Sequence, residues 1–228
     1  GIRRQRQMCI RDRKEAVQIS AEAHELVRES ISSKKNERQI QGLIEGFFLE
    51  KGARGPAYNS IVASGDNACI LHYTSNNAPL NNGDLLLVDA GCSLTDYYNG
   101  DITRTIPISG KFSQEQKVIY EIVLSAQKTA IKSALIGSNS STVHNVALKV
   151  LIEGLKEIGL LSGSTEEIIE HQLYKHLYMH RTGHWLGLDV HDVGAYRMGE
   201  YEVPLRNGMI LTVEPVSYTH LTLPTNAC

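Results

Sequence analysis

The segment that most constrains this chain is residues 179–192, which read MHRTGHWLGLDVHD. Glycine is unfavourable inside a helix, so Gly183 and Gly187 predict irregular or extended backbone here. Histidine is the commonest ligand for transition metals and titrates near neutral pH, so a cluster indicates metal binding, proton transfer or both. The alternative is a set of satisfied structural histidines. The segment holds three of the chain's nine histidines: His180, His184 and His191.

Carboxylates follow apolar stretches elsewhere in the chain. Residues 84–91 read as a short buried strand that ends at Asp89. Residues 97–106 predict a second strand carrying Asp101, joined to the first by a turn around residues 93–96. Such a hairpin brings the two acids side by side, where they repel each other unless a divalent cation lies between them.

A third apolar strand is predicted over residues 208–215 and ends in Glu214. For any one of the three acids, a solvated strand end or an ion pair is the alternative. A turn is predicted at residues 65–67, with His72 on the strand that follows, and residues 196–207 predict a polar loop. A lone histidine such as His72 would normally be read as a core residue.

Six segments together form a recognisable series: residues 58–62 (YNSIV), 70–74 (ILHYT), 88–92 (VDAGC), 100–105 (GDITRT), 184–194 (HWLGLDVHDVG) and 211–215 (LTVEP). In this order they resemble the catalytic domain of the Xaa-Pro aminopeptidases (aminopeptidase P), a family of pita-bread metallopeptidases. The resemblance covers roughly residues 13–215. Trp185 in the histidine motif resembles aminopeptidase P more than the related prolidases or methionine aminopeptidases.

The resemblance implies two divalent metal ions, commonly manganese, bridged by carboxylates. It implies that Asp89 is a ligand of one metal, that Asp101 bridges both, and that His184 is the histidine ligand of the other. Glu214 is implied as a further ligand that also handles the proton of the attacking water. Oxygen-rich coordination with one histidine favours Mn²⁺ over structural zinc.

The implied reaction removes the N-terminal residue from peptides with proline in second position. The amide before proline is tertiary and carries no N–H, so proteases that recognise that group fail there. His72 and His191 match positions that steady the substrate carbonyl and the tetrahedral intermediate. His180 matches a pocket histidine near the proline. The parent protein is expected to be a homo-oligomer.

Length and charge fit one globular enzyme domain. The chain has 228 residues and a formal net charge of −2, which does not favour nucleic acid as a partner. No apolar run approaches the length of a membrane span, and the N-terminus does not resemble a secretory signal. Four cysteines without a disulfide framework are typical of a cytosolic protein. We therefore expect a cytoplasmic protein that binds neither nucleic acid nor membrane.

We expect three regions: a basic tail over residues 1–12, the catalytic domain over 13–215, and a second tail over 216–228. The first tail predicts a solvated arm, with nucleic acid or a membrane surface as alternative partners. Both tails also resemble translated sequencing-adapter read-through. The family's second bridging glutamate has no match beyond Pro215, and the family's N-terminal domain is absent. We therefore expect a fragment, truncated at both ends, with reduced metal binding and turnover.

Ser113 and Gln116 predict a capping box at the start of one helix, and Gly159 marks the end of the next. His171 and His176 are expected on the surface, and no catalytic or metal-binding role is assigned to them. Helices alternating with hairpins predict an α/β domain, and the resemblance implies a pita-bread fold with a curved antiparallel sheet in two quasi-equivalent halves. Apolar spacing predicts five helices, over residues 14–32, 37–51, 113–135 and 142–158 and from residue 164.

Two alternatives of function remain. A prolidase would cleave Xaa-Pro dipeptides rather than longer peptides. A catalytically silent pita-bread module would bind a protein or nucleic acid, although such relatives tend to have lost the ligands that this chain keeps. A mononuclear oxygenase built on the histidines is disfavoured, because it gives the three acids no role.

Overall fold

A computed structural model describes the backbone of residues 2–219 and the side chains of residues 9–32 and 34–219. The chain divides into two compact units. The first comprises residues 1–112 and 186–192, and the second comprises residues 113–185 and 193–228. In the two predicted tails, the side chains of residues 1–8 and 220–228 lie outside the described part of the chain.

Two helices flank the strands of the first unit. Helix α1 (Ile2–Ser30) begins well before the predicted start at Lys14. Residues 2–13 contain no glycine or proline and are mostly good helix formers, so the helix extends through them. Helix α2 (Glu37–Glu50) confirms the prediction, and its N-cap Asn36 accepts the backbone N–H of Gln39. The buried face of α1 carries Ala16, Ile19, Ala23 and Val27.

The first unit holds a three-stranded antiparallel sheet in the order β2 (Ile61–Ser64), β3 (Leu85–Asp89) and β5 (Thr103–Pro107). Asp89, the last residue of β3, pairs with Thr103 of β5. The predicted strand ending at Asp89 is therefore confirmed. A second, two-stranded sheet pairs β1 (Gly55–Pro56) with β4 (Cys92–Ser93).

Two predictions in this unit were wrong in detail. The second strand begins at Thr103 rather than at residue 97, because β4 occupies the connection and Tyr97 turns the chain with φ +72°. Asp101 therefore lies just before β5. His72 is not on a strand: a 3-10 helix (Gly65–Cys69) replaces the predicted turn, and His72 follows it in an exposed turn with φ +55°.

The second unit begins with helices close to the predicted ones. Helix α3 (Gln114–Ser133) has the predicted capping box between Ser113 and Gln116. Helix α4 (Ser140–Glu157) packs against it, and Gly159 follows with φ +76°. Helix α5 (Thr165–Glu170) is short, and His171 and His176 after it are exposed, as predicted.

The end of this unit differs from the prediction. The expected polar loop over residues 196–207 contains a small hairpin of β6 (Arg197–Met198) and β7 (Tyr201–Glu202). The expected strand over residues 208–215 is reduced to an isolated bridge between Trp185 and Leu211. The pairing stays short because its partner is the glycine-interrupted histidine segment, which does not form a strand.

Each unit has its own apolar core. In the first unit, α1 and α2 cover one face of the sheet, and the core includes Phe48, Leu86 and Val88. In the second, α3 and α4 pack together around Leu151 and Ile152. None of the described helices is both long and apolar enough to cross a membrane.

Candidate metal centre

Asp89 and Asp101 converge on the hydroxyl of Tyr58 in the first unit. The hydroxyl lies 2.5 Å from Oδ1 of Asp89 and 2.8 Å from Oδ1 of Asp101. Burial, together with the two carboxylate charges, raises the pKa of Tyr58 well above its ordinary value, so the hydroxyl keeps its proton at neutral pH. One proton serves one acceptor at a time, and two adjacent carboxylates repel each other. A divalent cation would relieve that repulsion.

Glycines allow the close backbone approach that brings these acids together. A Cβ atom on Gly91 would lie 1.9 Å from the carbonyl oxygen of Gly100, so no larger residue fits. The backbone N–H of Gly100 donates to the carbonyl of Cys92 at 2.9 Å. The predicted proximity of Asp89 and Asp101 is therefore built by the Ala-Gly and Asn-Gly segments beside them rather than by a long hairpin.

His184 and Glu214 meet in the second unit. Nε2 of His184 lies 3.2 Å from Oε1 of Glu214, while Nδ1 of His184 lies 2.9 Å from the carbonyl oxygen of Trp185. A carbonyl accepts only, so Nδ1 carries the proton, and in the neutral ring the Nε2 lone pair faces the carboxylate. This is the tautomer that a metal-binding histidine needs, with its other nitrogen held by a backbone carbonyl.

Thr212 contacts the Glu214 side chain and the backbone of His184. Its hydroxyl donates to Oε1 of Glu214 at 2.7 Å and accepts the backbone N–H of His184 at 3.0 Å. A Cβ atom on Gly183 would lie 1.9 Å from the carbonyl oxygen of Thr212, so glycine is required there too. Gly183, which is unfavourable in a helix, thus allows the segment that carries His184 to pair with the segment that carries Glu214.

The remaining predicted site residues are three histidines, His72, His180 and His191. His72 and His191 are exposed on turns and loops of the first unit. His180 is half-buried in the second unit, with Nδ1 at 2.7 Å from the carbonyl of Arg181. Its ring packs edge-on against Tyr178, with the ring centroids 5.4 Å apart.

Sequence reasoning assigned no role to several residues that hold the acids and histidines in place. Tyr58 and Thr212 lie within the quoted motifs, and this was the only feature of the sequence that could have pointed to them. Asn99 is buried and donates to the carbonyl of Leu188 at 2.7 Å, which ties the histidine segment to the loop before Asp101. His144 is buried on an apolar helix face, and nothing in its spacing distinguishes it from a core residue.

Comparison with known proteins gives the family. The model of metallopeptidase family M24 matches residues 12–225. The chain belongs to metallopeptidase family M24. The match runs past Pro215, the predicted end of the catalytic domain.

Proteins similar to this chain include Xaa-Pro aminopeptidases. The one from Haemophilus influenzae is 47% identical over 92% of this chain and 48% of its own length. The one from Escherichia coli is 43% identical over 89% of this chain and 46% of its own length. The predicted resemblance to this family is therefore confirmed. The chain spans about half the length of the curated relatives it matches.

Solved structures confirm the predicted pita-bread fold. Aminopeptidase PepP of Pseudomonas aeruginosa matches with a TM-score of 0.86 and 45% identity, over 91% of this chain and 47% of that one. A zinc-substituted E. coli aminopeptidase P in complex with product matches with a TM-score of 0.85 and 41% identity, over 92% and 47% of the two chains. Membership of this family supports a divalent metal, which the oxygen and imidazole donors described above suit.

Proposed function

We propose that this M24 chain is the catalytic part of a metal-dependent aminopeptidase that removes the N-terminal residue from peptides with proline in second position. Two oriented groups of metal-ligand type carry this proposal. Asp89 and Asp101 meet on Tyr58. Glu214 is held by Thr212 and lies beside His184, whose ring is held by the Trp185 carbonyl. Donors held in this way by second hydrogen-bond partners are typical of metal ligands rather than of surface ion pairs.

We propose Asp89, Asp101, His184 and Glu214 as the ligands of two divalent ions, with Mn²⁺ preferred. Three carboxylates and one imidazole suit Mn²⁺ better than a zinc that prefers sulfur and nitrogen. A divalent ion held by this set supplies Lewis-acid polarisation and makes water more acidic. The crowding of Asp89 and Asp101 on one hydroxyl supports a cation between them.

Glu214 is the residue that we assign to proton transfer. Its Oε1 already accepts a hydrogen bond from Thr212 at 2.7 Å, which fixes the carboxylate plane. In the proposed reaction Glu214 accepts the proton of the attacking water and later delivers a proton to the leaving proline nitrogen. A fixed carboxylate within reach of the water is what general acid–base catalysis requires.

The other histidines are assigned to the substrate. We propose that His72 and His191 donate hydrogen bonds to the scissile carbonyl as negative charge develops on its oxygen, a contribution of about 3 to 4 kcal/mol for a donor in other enzymes. His180, packed on Tyr178, would line the pocket for the proline ring. The exposure of His72 and His191 leaves them accessible to a peptide.

We also infer a cytoplasmic location and a homo-oligomeric parent protein that binds peptide and no nucleic acid. The three cysteines within the described part of the chain are free thiols, which is typical of a reducing compartment. The small net charge of −2 offers no general attraction for nucleic acid.

A tripeptide assay tests the proposed function. Mn²⁺-dependent release of the N-terminal residue from an Xaa-Pro-Yaa tripeptide is expected, and it should vanish in Asp89→Ala. An Xaa-Pro dipeptide run beside it separates a prolidase, which would cleave the dipeptide alone. Absence of cleavage on both substrates, with Mn²⁺ bound normally, would favour a silent binding module.

A further inference from the structure

A buried histidine outside the proposed ligand set contacts the segment that carries His184. His144 lies on helix α4 and only 8% of its surface is exposed. Its Nδ1 accepts the backbone N–H of Thr182 at 3.3 Å and lies 2.9 Å from the hydroxyl oxygen of Thr182. Nδ1 is therefore a lone-pair acceptor, and the neutral ring carries its proton on Nε2.

Thr182 is held on a second side by Tyr178. The hydroxyl oxygens of these two residues lie 2.6 Å apart, and only 2% of Thr182 is exposed. The rings of His144 and Tyr178 lie 5.8 Å apart. The backbone N–H and the side chain of Thr182 are thus both held by buried groups, which restricts the backbone at this residue.

The backbone of Thr182 is hydrogen-bonded directly to that of Glu214. The carbonyl oxygen of Thr182 accepts the backbone N–H of Glu214 at 2.7 Å. On the same pairing, the carbonyl of His184 accepts the backbone N–H of Thr212 at 2.9 Å. A tilt of Thr182 would therefore be transmitted to the backbone from which Glu214 projects, without any contact between His144 and the proposed metal.

We propose that His144 is a positioning residue for Glu214, acting through the backbone of Thr182. This inference rests on the proposed function, since it takes Glu214 as a metal ligand and proton acceptor. An acceptor at the place of Nδ1 is the chemical requirement, because loss of that acceptor leaves the buried N–H of Thr182 unsatisfied. Groups that orient metal ligands typically change metal affinity by 10- to 100-fold when removed.

Two substitutions at His144 separate this requirement from simple packing. His144→Leu removes the acceptor, whereas His144→Asn returns a carbonyl oxygen close to the position of Nδ1. His171→Leu, an exposed histidine in the same unit, is the matched control. Each variant is measured in the full 228-residue chain for the Mn²⁺ dissociation constant by calorimetry and for amide hydrogen exchange at Thr182 and Glu214 by NMR.

The expected result is that His144→Leu weakens Mn²⁺ binding at least tenfold and accelerates exchange at both amides, while His144→Asn restores both to within about threefold of wild type. Wild-type values in His144→Leu would overturn the inference, and so would a failure of His144→Asn to restore them. The variant Glu214→Ala distinguishes a failure of the proposed function from a failure of the inference about His144. If it binds Mn²⁺ like wild type, the proposed function fails; if it loses Mn²⁺ while His144→Leu does not, only the inference fails.

Discussion

Tyr58 and Thr212 have the same role in separate parts of the chain: the hydroxyl of each donates a hydrogen bond to a proposed carboxylate ligand. The acids themselves were predictable, because a carboxylate that ends an apolar stretch is costly to bury without a partner. The hydroxyls were not predictable from spacing. Their partners depend on the path of neighbouring loops, which propensity and periodicity do not encode.

Removing the Tyr58 hydroxyl should weaken metal binding. Tyr58→Phe leaves Asp89 and Asp101 without their shared donor, so their orientation loosens, and we expect the Mn²⁺ dissociation constant to rise about tenfold or more. Calorimetric titration measures the change. Tyr97→Phe is the control, because Tyr97 is exposed in the same unit. An unchanged affinity in Tyr58→Phe would show that the hydroxyl is not needed to present the acids.

His144 should also make stability depend on pH. Burial, followed by the charges of Arg181 and His180, lowers the pKa of His144 from 6.5 to about 4. Its contribution is fully present above the unfolded value near 6.5, because both states are then neutral. As the pH falls towards 4, the unfolded state takes up a proton that the folded state does not, so up to about 3 kcal/mol of stability is lost.

Urea unfolding at pH 7, 5.5 and 4 measures this loss. Wild type should lose more stability than His144→Asn over the same interval, because all other titrating groups are shared by the two proteins. Parallel pH profiles for the two proteins would contradict the assigned pKa of His144.

At the scale of elements, two strands that end in an acid were predicted, but only β3 is formed, and the strand before Glu214 is not. Residues 85–88 are apolar between clear breaks, and strand β3 pairs on both sides, so local pattern and tertiary context agree. Residues 208–215 have a similar apolar pattern, but they pair with a segment interrupted by glycines. The pattern shows the apolar surface of a strand, while the extent of pairing depends on the partner.

Gly183 should tolerate no side chain. Gly183→Ala places a Cβ atom against the Thr212 carbonyl, so the pairing that holds Glu214 must shift, and we expect a loss of about 3 kcal/mol in the free energy of unfolding. Gly42→Ala is the matched control in helix α2, where nothing lies within 4 Å of the new atom. That change should stabilise by about 1 kcal/mol. Equal effects of the two substitutions would contradict the close approach at Gly183.

Glu37 anchors the loop that carries His72. Its buried carboxylate accepts hydrogen bonds from Ser64, Asn67, Tyr73 and the backbone of Ala78. Burial raises the pKa of Glu37, but these hydrogen bonds outweigh it, and the pKa is lowered overall. The stabilisation is therefore present at neutral pH and above the unfolded value near 4.5, and is lost as the pH falls through the lower folded value.

Glu37→Gln should cost about 3 kcal/mol in the free energy of unfolding at pH 7, because an amide group would face donors that need an acceptor. Urea unfolding measures the cost. Glu45→Gln, on the same helix, is the control and should change stability by less than about 0.5 kcal/mol. Similar stabilities for the two variants would mean that the loop does not depend on Glu37.

At the scale of the molecule, the two units have separate cores, and each unit holds two of the four proposed ligands. The motifs quoted from the sequence led to the family and the fold, because their residue types and order are specific. Two of the motifs contain Tyr58 and Thr212, but they gave no indication of what these hydroxyls contact, since a contact such as that of Tyr58 with Asp101 joins residues far apart in the sequence.

Calorimetric titration of Mn²⁺ into wild type and into two ligand variants, Asp89→Asn and Glu214→Gln, tests the proposed metal centre most directly. We expect two ions per chain in wild type and weaker Mn²⁺ binding in either variant, because Asp89 and Glu214 are both proposed ligands. No binding in wild type, or wild-type stoichiometry and affinity in both variants, would show that these residues are not metal ligands.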